Sequence, residues 1–388
     1  MKKLPIARLA AMLALPAAIV SAADRAEDGP DHNCTSWMIF ADLTGNGTNI
    51  LHKNRDAHPH NVKVMRSAPD SPRKWIGMGN NKYLFMGINA AGLAACMNSG
   101  EICIEPPDDK SKQRTPMILQ FVLENCDTAQ QAAKQLSEFI RQGNYYHGEN
   151  KGSIFFFTDR KEGYICEITG KFCSVQRYDS GYAFRANIWH NPGMAQRART
   201  PHDKYLENAG REAVVREIFN AAIDRKQRID LTDILELSRR HKMPEGSPLT
   251  RATCFKHTNS TSTLVIHREF PDVLSTAYLH VGHPRHTLYL PIPVCVEKLD
   301  CRQEEPVWAE ASWKRFDRLG LDAPIPAEWA AFEKESMETY AKASADALAL
   351  LRKGEKAQAV RIMNEASSGI WRKAAGIIFG TAEGQKQK

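Results

Sequence analysis

The residue with the most chemistry within reach is Cys34, in Cys34-Thr35-Ser36, followed twenty-two positions later by Asp56 in Lys53-Asn54-Arg55-Asp56. Were cleavage to make Cys34 the first residue of a mature chain, that residue would carry a thiol of pKa ~8.5 and an α-amine of pKa ~7.7–8.0. Nucleophile and base then come as one residue matched to neutral pH, the amine taking the thiol proton directly or through water. A carboxylate such as Asp56 would orient the amine, and side-chain amides of asparagine suit an oxyanion. The chemistry so described is attack on an amide carbonyl through a thioester.

The start of the chain predicts the new N-terminus. Lys2, Lys3 and Arg8 precede an apolar run over 9–20 that is short for a membrane span, and Val20-Ser21-Ala22 is a small-residue cleavage site. Residues 1–22 are therefore expected to be a signal peptide cut after Ala22, which places the protein in the periplasm or outside the cell. Residues 23–33 are polar and without periodicity, as a propeptide would be.

Strand patterns position the cysteine. A strand over 34–42, the turn Gly45-Asn46-Gly47 and a return strand over 48–53 form a hairpin that brings Cys34 beside Asp56. A second hairpin is expected over 83–98, helices over 116–124 and 128–140, and strands over 153–158, 163–169, 173–178 and 182–186. Helices follow over 204–225 and 231–240, then strands over 262–267, 273–281 and 287–290. Strand blocks separated by helix pairs argue an α+β or layered sandwich fold and not a doubly wound parallel sheet. Residues 34–303 form this main domain. Residues 304–388 read as a C-terminal helical hairpin broken at Gly354, with the end at 386–388 frayed. It covers the main domain or makes a homo-oligomer contact.

The chain has 388 residues and a formal net charge of +7 that is scattered, with none of the concentrated basic stripe of a nucleic-acid binder. Nine cysteines leave eight besides Cys34 that an oxidising compartment could pair, with Cys166/Cys173 and Cys295/Cys301 the pairs suggested by proximity. No C-x-x-C occurs and the histidines lack ligand spacing, so no metal or other cofactor is expected.

These residues also carry a resemblance. The chain is similar to the N-terminal nucleophile amidohydrolases of the choloylglycine hydrolase, penicillin V acylase and isopenicillin N acyltransferase type, the linear amide C–N hydrolases akin to peptidase C45. Cys34-Thr35 resembles the family's mature N-terminus, and Lys53-Asn54-Arg55-Asp56 its Asn-x-Asp turn. Gly87-Ile88-Asn89-Ala90-Ala91-Gly92-Leu93, running on to Met97-Asn98, resembles the Gly-Met-Asn-x-x-Gly-Leu hairpin, which implies Asn98 near the oxyanion. Arg185-Ala186-Asn187 resembles the Thr-Asn segment and implies Asn187 as the second asparagine; Ser247-Pro248-Leu249-Thr250-Arg251 resembles the stretch that supplies a late arginine, here Arg251. Lys53 stands where bile salt hydrolases carry arginine, and Ala186 where the family has threonine, which weighs against bile salts as substrate. The resemblance implies a four-layer αββα sandwich over 34 to about 293.

Lys53 and Arg55 are read as contacts for a substrate carboxylate. Trp37, Phe40, Trp75, Tyr83 and Phe85 suit a hydrophobic acyl chain or a core equally. The expected partner is a small N-acyl amide, hydrolysed or transferred to an amine. The competing readings are a dipeptidase on the same fold and a secreted binding protein with Cys34 in a disulfide.

Overall fold

The computed structural model describes residues 33–58, 61–107, 109–148 and 150–380. The expected signal peptide over 1–22 with its cleavage after Ala22, residues 23–32 of the expected propeptide and the end at 386–388 lie outside the described residues.

Two antiparallel sheets carry the architecture. The first has the order β10 (Tyr182–Arg185), β1 (Asn33–Ile39), β2 (Asn49–Asp56), β11 (Thr258–Ile266), β12 (Thr276–Val281), β13 (Leu290–Pro293). The second runs β3 (Lys63–Arg66), β4 (Trp75–Gly79), β5 (Leu84–Asn89), β6 (Ala94–Ile102), β7 (Lys151–Thr158), β8 (Gly163–Ile168), β9 (Cys173–Tyr178). Helices α1 (Thr115–Asn125) and α2 (Ala129–Arg141) cover the outer face of the second sheet. The first sheet is covered by α3 (His202–Asp224), α4 (Leu231–Arg239) and, beyond the turn α5 (Pro271–Leu274), by α6 (Val307–Leu319), α7 (Ala327–Arg352) and α8 (Lys356–Phe379). The result is the four-layer αββα sandwich.

Layering explains the burial pattern. A strand covered on one face alternates, whereas β1, β2 and β11 are buried at nearly every position because a sheet lies on one side and helices on the other. One apolar core fills the space between the sheets and runs on under the C-terminal helices through Trp308, Trp371 and Met363. A second, built from Leu119, Val122, Leu136, Phe155 and Phe157, glues α1 and α2 to the second sheet. The C-terminal helices thus share the core of the sandwich.

Local signals behaved as their chemistry requires. Thr128 caps α2 by accepting from the Gln131 N–H. In the β5–β6 hairpin Asn89 accepts from the N–H groups of Ala91 and Leu93 and donates to Leu123 and Cys126 carbonyls, while Gly92 takes φ +84°. Strands β3 and β4 escape the sequence reading because they are short and Gly77 and Gly79 break their pattern; Met86 O and Tyr83 O approach those glycines where a Cβ would stand. The strand expected over 273–281 begins as the turn α5, since Pro271 starts a helix readily, and β12 begins at Thr276. The last strand lies at Leu290–Pro293 instead of 287–290.

All nine cysteines are unpaired. Cys173 faces Ile168 across the β8–β9 ladder, not Cys166, and its thiol meets Ser137. The Cys295 thiol turns to the Val273 carbonyl and that of Cys301 to Asp300, so neither proposed pair is aligned.

Candidate active site

Strand β2 reads Asn-Ile-Leu-His-Lys-Asn-Arg-Asp, and every one of its residues is buried. Five consecutive polar side chains in a central strand are costly unless each is satisfied, and the pleat divides that task between the two faces. Lys53 and Arg55 point between the sheets, where Lys53 Nζ donates to Met97 O (2.6 Å) and Asn98 Oδ1 (2.8 Å) and Arg55 lies 3.7 Å above the Phe85 ring. His52, Asn54 and Asp56 point to the helix side. His52 stacks on Trp37 and bonds Thr263 and Asn54, and Asn54 donates to Ser238 and Thr253 carbonyls. Burial pushes the His52 imidazole down to about 3, so it is neutral.

Cys34 is the second residue of β1 and 6% exposed. The register pairs it with Arg55, while Asn33 pairs with Asp56. Directly paired residues share a face, so the Cys34 side chain lies on the inter-sheet side with Ser36 and Arg55, and Asp56 lies on the helix side opposite Asn33. The hairpin does bring the two together, offset by one residue. Asp56 flanks the position of Asn33, the residue whose removal would free the Cys34 amine. β10 ends at Arg185, which leaves the outer edge of Cys34 without a ladder partner. Side chains fill the gap: Cys34 N donates to Asn187 Oδ1 (2.9 Å), and Arg211 Nη1 donates to Cys34 O (2.5 Å).

Arg251 reaches Asp56 from the segment before β11, with Nη2 2.6 Å from Oδ2; Thr258 Oγ1 donates to the other carboxylate oxygen, also at 2.6 Å. The pair is buried at 6% and 1% exposure, and the Arg251 guanidinium stacks 3.9 Å over Phe255. Gly210 lets α3 approach this segment, because a Cβ there would stand 2.7 Å from Arg251 O.

The two asparagines differ in what they have left to give. Asn98 Oδ1 accepts from Ser36 Oγ and Lys53, and both Nδ2 protons go to the Arg185 and Ala186 carbonyls, so Asn98 braces the two sheets and offers no donor to an oxyanion in this arrangement. Asn187 Nδ2 donates to Ser99 O at 2.6 Å, which uses one of its two protons. Lys53, 1% exposed, is likewise turned inward and does not present its ammonium to a substrate carboxylate. Arg55 is 8% exposed, at the margin of the inter-sheet layer. A second thiol stands close by: Cys96 Sγ meets Ser36 Oγ at 3.5 Å, and burial pushes it up to about 11 despite Lys53.

Sequence reasoning missed Arg211. Its guanidinium donates to Cys34 O, Thr35 Oγ1, Asn187 Oδ1 and Asn208 Oδ1 with no exposed surface. The signal was there: the apolar face of α3 that runs through Phe219 and Val215 carries Arg211 one turn back. Also missed were Glu167, which holds Arg185, and Glu212, which accepts from Ala186 N and pairs with His190, both fixing the loop that delivers Asn187. Among the described residues no group of three or more His, Cys, Asp or Glu side chains could hold a metal.

The sequence model of the acyl-coenzyme A:6-aminopenicillanic acid acyl-transferase family matches residues 43–213 of this chain, a stretch that begins after Cys34 and ends before Arg251. Solved structures similar to it include a variant of the conjugated bile acid hydrolase from Clostridium perfringens (14% identity, 75% of this chain and 95% of that one, TM-score 0.45). The penicillin V acylase from Agrobacterium tumefaciens is similar at 13% identity over 67% and 86% of the two chains, with a TM-score of 0.42. A Caenorhabditis elegans N-acylethanolamine-hydrolyzing acid amidase ortholog matches at 12% identity over 62% and 94%, with a TM-score of 0.40. Comparison with curated proteins finds no match.

Proposed function

We propose that this protein is an exported cysteine amidohydrolase that cleaves a linear N-acyl amide through an acyl-enzyme on Cys34. The observation that carries the reading is the treatment of the Cys34 main chain. Its N–H lies 2.9 Å from Asn187 Oδ1 and its strand neighbour pairs with Asp56, so an amine freed at this point finds an acceptor and a carboxylate already in place. Removal of residues 1–22 and then 23–33 exposes that amine.

The amine takes the Cys34 thiol proton, and the thiolate attacks the amide carbon. The spare N–H of Asn187, with a main-chain N–H, supplies the oxyanion donors. The amine returns its proton to the leaving nitrogen, the C–N bond breaks, and a thioester remains. Water then yields acid and free thiol, or an acceptor amine takes the acyl group. Periplasmic or secreted localisation goes with the signal-like start of the chain; among the described residues no helix is long and apolar enough to cross a membrane.

Intact mass and N-terminal sequencing of the exported protein, with Cys34 alkylation and a panel of N-acyl amides, test the reading. A chain beginning at Cys34 that hydrolyses an amide, and a Cys34→Ala variant that does not, are expected. A chain beginning at Ala23 with Cys34 in a disulfide would overturn it in favour of a binding protein.

A further inference from the structure

We propose that Arg211 is the positioning residue of the nucleophile: it locks the Cys34 main chain against Asn187 and, as a fixed cation, holds the freed amine in the base form that takes the thiol proton. The inference rests on the reading of Cys34 given above and assigns a role to a residue in the helix layer.

The geometry has three parts. First, Arg211 completes the sheet edge. Where β10 stops at Arg185, the Cys34 N–H goes to Asn187 Oδ1 and the Cys34 carbonyl to Arg211 Nη1, in the places a further strand residue would fill. Second, the fork couples the two. Nη2 of the same guanidinium donates to Asn187 Oδ1 at 2.8 Å, and Nη1 reaches Thr35 Oγ1 at 3.2 Å. Asn187 Oδ1 therefore accepts from Arg211 and from Cys34 N together, which keeps the two nitrogens within about 6 Å of each other. Third, the group is held for this task alone. Arg211 has no exposed surface, Asn208 one turn earlier on α3 takes its remaining Nη2 bond, and its buried Nε has no partner.

A cation at that distance from an amine disfavours the ammonium form. Burial and the neighbouring Arg251 push Arg211 down to about 10, which leaves it charged at neutral pH. The other charged groups around Cys34 are Lys53, Arg55 and Asp56 of β2, Arg251, and Glu212 of α3, with the Cys96 thiol beyond Ser36. Asp56 is neutralised by its own pair with Arg251, and Glu212 is occupied by His190 and Ala186 N, so Arg211 is the cation bound directly to the nucleophile's backbone.

The test needs no substrate. Mature protein and its Arg211→Met and Arg211→Lys variants are pulse-acetylated with acetic anhydride from pH 5 to 10, reading the α-amine of the Cys34 peptide by mass, alongside thermal melting. Arg211→Met is expected to raise the midpoint of α-amine acetylation by about one pH unit or more, with about tenfold slower reaction on the acid side. Arg211→Lys keeps the charge and is expected to restore most of the midpoint at a lower melting temperature. A folded Arg211→Met with the wild-type acetylation profile overturns the proposal and leaves a brace only. Should Arg211→Met not fold, Asn208→Ala decides, since it loosens the fork without touching its charge: a shifted midpoint at a wild-type melting temperature supports the proposal, and an unchanged midpoint overturns it. Failure of the wild-type protein to begin at Cys34 would instead overturn the amidohydrolase reading itself.

Discussion

Removing either partner of the Asp56–Arg251 pair should unfold more than it disables, and the size of the effect follows from the geometry. The two groups meet at 2.6 Å with 1% and 6% exposure, so neither charge can turn to water when its partner is lost. With charge centres about 4 Å apart and an effective dielectric of about 20, the attraction is ~4 kcal/mol. That agrees with the roughly 3–5 kcal/mol lost when one member of a buried pair is removed. Asp56→Asn keeps the acceptor for Thr258 Oγ1 and so removes charge with little change of shape. At an unfolding entropy of about 2.1 cal/mol/K per residue, a loss of ~4 kcal/mol lowers the melting temperature of a chain this long by about 5 °C. The assay is a double-mutant cycle by urea unfolding, with Asp56→Asn, Arg251→Met and both together. The double variant should cost less than the sum of the singles by at least ~1.5 kcal/mol. Strictly additive singles would show that the pair is not coupled, and the reasoning would fail.

The buried histidines make stability sensitive to acid. His52 is pushed down to about 3 by burial, His286 to about 4 chiefly by burial, and His280, fully buried with Arg239 and His52 nearby, well below its ordinary value. Unfolded, each binds a proton near pH 6.5 and the folded protein does not. Their contribution is therefore intact above about pH 6.5 and is lost as pH falls toward 4 and 3, at ~1.4 kcal/mol per histidine per pH unit. The urea midpoint should drop clearly between pH 7.5 and 5; a flat midpoint would contradict the burial. Asn98→Ala and Asn187→Ala should separate stability from activity. Asn98→Ala strands two main-chain carbonyls and Lys53, and melting should show a loss of about 1–3 kcal/mol. Asn187→Ala should lower kcat on an N-acyl amide by roughly a hundredfold or more in a folded protein. Equal effects of the two on kcat would refute the division of roles.

How much of the site was legible depended on whether a residue acts through its chain neighbours or across space. The nearness of Cys34 and Asp56 could be read because a hairpin with a Gly-Asn-Gly turn brings its strand ends together, whereas the register that pairs Asp56 with Asn33 was left open. That one-residue offset moved Asp56 to the opposite face from the Cys34 side chain. The role of Asn98 could not be read: an asparagine's usefulness as a donor depends on which carbonyls fold against it, and Arg185 and Ala186 lie 87 and 88 positions away. Arg211 stands on the apolar face of its helix, yet what it holds was not legible, since its partners come from β1, the 187 loop and its own helix.

The sequence alone determined the elements and the layered α+β class, because hydrophobic period, turn residues and caps are local and each acts within a few residues. It also determined a resemblance carried by short motifs around Cys34, Asn54, Asn89 and Asn187. Only the tertiary structure decided how those motifs share charge and hydrogen bonds. A buried polar group has to be satisfied by whatever packs on it, and in this protein the partners of Cys34, Asp56 and Lys53 come from strands, helices and loops far apart in the chain.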